Sequence, residues 1–121
     1  TGGKISESAY LCLKLAWIYR GEIQEAKANG AAQERISMYE KYEKEYLEDA
    51  YRGFKQARET EYPPIAGMDE NTITYLLTSI GIHCGKIDEA RRYGSALLIS
   101  RTASMKLKNK TRDVLETIKK N

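Results

Sequence analysis

The sequence predicts an all-α fold, a stack of antiparallel helix pairs in a single domain spanning residues 1–121. Three observations carry this. Apolar residues recur at three- and four-residue spacing along almost the whole chain. Alternating apolar–polar runs of the kind that form half-buried strands are nearly absent. The strong breakers are confined to a few places, Asn29-Gly30, the Tyr62-Pro63-Pro64-Ile65-Ala66-Gly67 segment and Gly85-Lys86, which cut the chain into helix-length pieces. A chain of 121 residues with 41% hydrophobic residues can enclose one modest core.

The first helix is expected from about Ser6 to Arg20, with Ser6 or Ser8 as N-cap and Gly21 as the stop. Tyr10, Leu11, Leu13, Leu15, Trp17 and Ile18 give it a wide apolar surface, so it should be mostly buried. Residues 22–30 are ambiguous: Glu22 to Ala28 can continue as helix, but Asn29-Gly30 must break it. From Ala31 to about Glu61 only Gly53 disfavours helix, which implies one over-long element of roughly 46 Å at the α-helical rise. Glu40/Lys44 and Glu48/Arg52 support it as acid-before-base pairs one turn apart. The Pro63-Pro64 pair then forces a loop. Asp69 or Asn71 caps a third helix, about Glu70 to Cys84. Gly85-Lys86 turns into a fourth, about Asp88 to Ile99, and a capping helix covers about Lys108 to Lys119 with Val114, Leu115 and Ile118 as its stripe. Met105 and Leu107 can extend either neighbour or pack from a loop.

Composition narrows the function. With two Cys and one His, and no Cys-x-x-Cys pair, the chain cannot build a four-ligand zinc site by itself. Cys12 and Cys84 read as packed free thiols, which fits a reducing, cytoplasmic setting. No apolar run approaches the ~20 residues that span a bilayer. No signal peptide is evident either, because Ser, Glu and Lys interrupt Ile5 to Ile18. The Thr1-Gly2-Gly3 start lacks a Met, so we expect a natural N-terminal part ahead of it, and the helical domain to be the C-terminal part of a longer protein. Charge is uneven: residues 22–70 carry seven Lys/Arg against twelve Asp/Glu, a net of −5, and residues 86–121 carry ten against four, a net of +6.

Two stretches repeat a spacing of small and large residues. Cys12-x-x-Leu15-Ala16-x-x-Tyr19 with Ala50-x-x-x-Phe54-x-x-Ala57 is the first, and Leu77-Thr78-x-x-Gly81 with Gly85-Lys86-Ile87-Asp88-Glu89-Ala90 the second. Small residues let paired helices approach, and Phe54 and Tyr19 fill the space between turns. This resembles tetratricopeptide repeats. In the second copy Gly94 and Leu97 fit the pattern poorly, and Gly81 and Gly94 stand where large residues belong, so Trp17 or Met105 is expected to fill that volume. The run Leu13 to Arg20, the long helix, and Tyr75-Leu76-Leu77 beside Gly85 to Tyr93 are together similar to the C-terminal helical part of the bacterial family named domain of unknown function 2225. That resemblance implies a Cys-rich, zinc-ribbon-like segment ahead of the helices and supplies no catalytic residue or ligand.

The resulting expectation is a non-catalytic scaffold that holds an unknown protein or peptide, or a second copy of itself, with no cofactor. Tyr39, Tyr42 and Tyr46, at i, i+3 and i+7 on the long helix, are the candidate partner-binding stripe, since exposed Tyr is favoured at interfaces. The long helix is expected to overhang its neighbour, leaving the stripe without enough cover from the same chain. His83-Cys84 is the one adjacent pair of metal-capable side chains, but neighbours on a helix point about 100° apart and rarely chelate one ion. Lys106, Lys108, Lys110 and Arg112, with Lys119 and Lys120, form a basic end. As a polyanion contact it is the alternative, a nucleic-acid-associated regulator, but it is disfavoured because no aromatic residue follows Tyr93.

Overall fold

The computed structural model describes residues 5–62 and 64–119, with Lys119 described in its backbone alone. Thr1 to Gly3, Pro63 and Lys120 lie outside the described residues. The fold is all-α: α1 (Ile5–Ala28), α2 (Gln33–Thr60), α3 (Glu70–His83), α4 (Ile87–Leu98) and α5 (Met105–Lys119). Each helix packs on its neighbour in the chain, and α5 also touches α3. Side-chain pairs fix the directions. Ser6 meets Glu61 while Lys27 meets Glu40, so α1 and α2 are antiparallel. Arg58 meets Thr74, and Asn71 meets Thr102, which reverses direction again at α3 and α4.

Two of the expected helix boundaries need correcting. Gly21 does not stop α1, which runs on to Ala28 and ends at Asn29 and Gly30. Gly21 faces open space, so its missing side chain weakens the helix without breaking it, and the tertiary partner decides. That partner is the first part of α2: Ile23 and Ala26 bury against Ile36, with Ala31 and Tyr39 alongside. The capping helix likewise starts three residues early, at Met105, because Ser104 Oγ accepts the N–H of Leu107. Ser6 is no N-cap of its own. It sits inside α1 and donates from its N–H and hydroxyl to Glu61, the residue that ends α2, at 3.1 and 2.6 Å. Asp69 does cap α3, its Oδ1 taking the N–H of Thr72 at 2.8 Å.

The main core joins α1, α2 and α3. Ala9, Leu13 and Ala16 of α1 meet Leu47, Ala50, Tyr51, Phe54 and Ala57 of α2, with Ile73, Leu77 and Ile80 of α3 behind and Ile65 of the loop completing it. Phe54 is fully buried. Trp17, expected in this core, is 47% exposed, and Leu15 is only half-buried. The reason is angular: Trp17 is one residue, 100°, round from Ala16, and the seam with α2 is made by Ala9, Leu13 and Ala16. Neither Trp17 nor Met105 fills the space beside Gly81 and Gly94. Tyr51 approaches Gly81 and Leu115 approaches Gly94, at distances a Cβ would make tight, and Met105 is exposed.

Candidate partner-binding surface

The tyrosine stripe is where two long helices lie side by side. Tyr39, Tyr42 and Tyr46 all meet one ring of α1, Tyr19, with centroids at 5.9, 5.3 and 5.8 Å; Tyr46 is stacked and the other two tilted. Such spacings are those of attractive aromatic pairs. The overhang supposed from the sequence is therefore absent, because α1 is eight residues longer than the Arg20 end assigned to it and accompanies α2 along that length. Arg20 Nε donates to Glu43 at 2.8 Å and Lys27 lies 3.8 Å from Glu40, which ties the two helices beside the rings. Tyr39 and Tyr46 are half-buried, and Tyr42 is at the rim, 36% exposed, with Met38 open one turn before it.

The apolar surface left open lies next to that rim. Leu11 and Ile18 are each 58% exposed, with half-buried Leu15 between them. At 100° per residue these three share the side of α1 opposite Ala9, Leu13 and Ala16. Leu15 precedes Tyr19 by one turn, so the apolar side of α1 continues through Tyr19 to Tyr42 and Met38. Glu22 and Glu25 extend the same side of α1 toward its C-terminus, both exposed. Leu11 and Ile18 were assigned to the interior by sequence reasoning. Their signal was legible nonetheless: from Ala9 to Tyr19 α1 is apolar on every side except at Lys14, and a helix segment of that kind needs cover on both sides.

The polar groups with shifted proton affinities are structural ties. Tyr51, buried, donates its hydroxyl to Glu89 Oε1, and Lys55 Nζ reaches the same oxygen at 3.0 Å, which binds α2 to α4. The hydrogen bond from Tyr51, then that from Lys55, holds the Glu89 carboxyl below its usual range. Burial, then the Glu89 hydrogen bond, pushes the Tyr51 hydroxyl up. Both thiols are free; burial raises Cys12, with Asp49 adding, and burial raises Cys84, with Glu48 adding. His83 is pushed down by partial desolvation and then by Arg20, against an opposing pull from Glu43. Among the described residues no group of three His, Cys, Asp or Glu converges as a metal site would require.

The basic residues are divided. Lys106 and Lys110 line a cleft between the start of α3 and the start of α5, with Asp69, Asn71 and Thr102, and Lys110 lies 5.5 Å from the Tyr75 ring centroid. Arg112 faces a different groove, between α4 and α5, and Lys108 is half-buried. No described helix is long and apolar enough to cross a membrane. The sequence model of the family described as uncharacterized protein conserved in bacteria (DUF2225) matches residues 1–118. No curated protein and no solved structure matches the chain.

Proposed function

The chain belongs to that bacterial family, and on this footing we propose that it is a non-catalytic protein- or peptide-binding helical scaffold of the cytoplasm. Its architecture reads as tetratricopeptide-repeat-like, a reading supported by the burial of Ala50, Phe54 and Ala57 at the repeat spacing and by the addition of each helix to its predecessors. The observation that carries the function is the open apolar side of α1: Leu11 and Ile18 exposed on a helix whose other side is core, running on to the Tyr42 rim. Contiguous exposed apolar surface of this kind marks interaction sites. Tyr39, Tyr42 and Tyr46 form its edge on α2. A non-catalytic role is supported by the thiols, whose proton affinity burial raises, and by the use of Tyr51 and Glu89 as a tie between helices.

Replacing the three tyrosines would also remove the packing of Tyr19, so the cleaner test is Leu11→Ser with Ile18→Ser. Immobilised parent chain should retain from a bacterial extract a protein that the double variant, with equal helix content, retains about tenfold less, the loss of roughly one hot-spot interaction. Equal retention of every protein by both would refute the surface.

A second reading is favoured by Lys106 and Lys110 sharing one cleft with hydrogen-bonding side chains. If a single-stranded oligonucleotide binds there, its affinity falls steeply with salt and falls again in Lys106→Ala/Lys110→Ala.

A further inference from the structure

The two ends of the stack carry opposite chemistry. At one end is the side of α1 with Leu11, Ile18, Glu22 and Glu25, at i, i+7, i+11 and i+14, an apolar stripe continued by carboxylates. At the other is the groove between α4 and α5, walled by Arg91, Ser95 and Leu98 on α4 and by Arg112, Leu115 and Ile118 on α5, with Glu116 on the α5 side. Its apolar floor is Leu98, Leu115 and Ile118, and both guanidinium groups are exposed. Arg112 donates to Asn109 one turn earlier, and Arg91 forms no ion pair with another described residue.

We infer that the partner seated on α1 is a second copy of this chain, presenting its α4–α5 groove, so that copies associate head to tail. This rests on the proposed binding role of the α1 surface and names its occupant. The fold supplies the precedent, since α5 is seated against both α3 and α4; in the proposed contact α1 of the next copy takes the corresponding place on α4 and α5. Apolar stripe meets apolar floor, and Glu22 and Glu25 approach Arg91 and Arg112. Because the two surfaces differ, the contact is heterologous and does not close as a symmetric dimer does. The charge component makes it sensitive to salt.

Sedimentation velocity on the parent, on a stripe variant (Leu11→Ser/Ile18→Ser) and on a groove variant (Arg91→Glu/Arg112→Glu) tests this, with circular dichroism confirming equal helix content. The parent should rise with concentration from 13.8 kDa past the dimer, and less so at high salt. Each variant alone should stay at the monomer mass, and an equimolar mixture should form two-chain species and nothing larger, because one intact stripe meets one intact groove. A parent that stays monomeric up to several hundred micromolar overturns the inference, yet leaves α1 free to bind a foreign protein. Self-association of the groove variant alone also overturns it, showing the stripe pairs with itself. Self-association of the stripe variant alone overturns both the inference and the self-binding use of α1.

Discussion

At the scale of single residues, the polar tie of Tyr51, Glu89 and Lys55 shows how buried and exposed chemistry combine. Tyr51 is buried, and its hydroxyl satisfies itself on a carboxylate from two helices away. Tyr51→Phe keeps the ring packing and removes one hydrogen bond to a charged group. It should cost about 1 kcal/mol, discounted for the solvent access of Glu89, as read by denaturant melts. Glu89 adds a pH signature. Its carboxyl is held below the usual range in the folded chain, so its contribution is full above the unfolded value near 4.5 and is lost as pH falls through the folded value. The stability gap between the parent and Glu89→Gln should therefore be largest near neutral pH and shrink on acidification below about 4.5. A gap that grows on acidification would contradict the tie. The 38-residue separation of the partners placed this pair beyond periodicity arguments.

At the scale of helices, the glycines distinguish close approach from tolerance. Gly53 lies where α1 and α2 cross: a Cβ there would stand 2.7 Å from Ala9 Cβ and 3.4 Å from its Cα. An alanine side chain cannot rotate away, so the helices must separate. Gly21 has nothing within 4 Å and lies in the exposed interior of α1. Gly53→Ala should destabilise by about 1–3 kcal/mol despite the better helix propensity of Ala. Gly21→Ala should stabilise by about 0.5–1 kcal/mol. Thermal or urea melts of the two single variants check both signs. Equal behaviour would mean that the helices do not cross at Gly53. Read by sequence alone, Gly21 was the stop of the first helix and Gly53 a tolerated weak point within the second; the position of α2 decides that Gly21 is tolerated and that Gly53 marks the close approach.

At the scale of the whole molecule, the stack is held by the apolar core of α1, α2 and α3 and by Leu115 of α5 against Gly94 of α4, with a few ion pairs at the seams. Its thermal midpoint should stay unchanged in the presence of a chelator and of a thiol reductant. A fall of several degrees with either would place a metal or a disulfide in the fold and overturn the free-thiol reading of Cys12 and Cys84. Where copies associate through Glu22 and Glu25 against Arg91 and Arg112, added salt should weaken that association.

The sequence by itself determined the helix count, the three principal breaks and the α2 side of the central core. Those features depend on neighbours a turn apart and on Gly and Pro, which act locally. Ala50, Phe54 and Ala57 were assigned to the packed side from spacing alone, and they are buried. Tertiary structure decided the length of α1, the exposure of Trp17, Leu11 and Ile18, and the internal partner of the tyrosine stripe. Each depends on what lies across a seam. A glycine with open space around it yields to a neighbour that rewards continued helix, so α1 passes Gly21 to reach Ile36. The Ala9 to Tyr19 segment of α1, apolar on every side except at Lys14, carries no internal sign of which side its neighbour takes. Only the placement of α2 turned Leu13 and Ala16 inward and left Leu11 and Ile18 exposed.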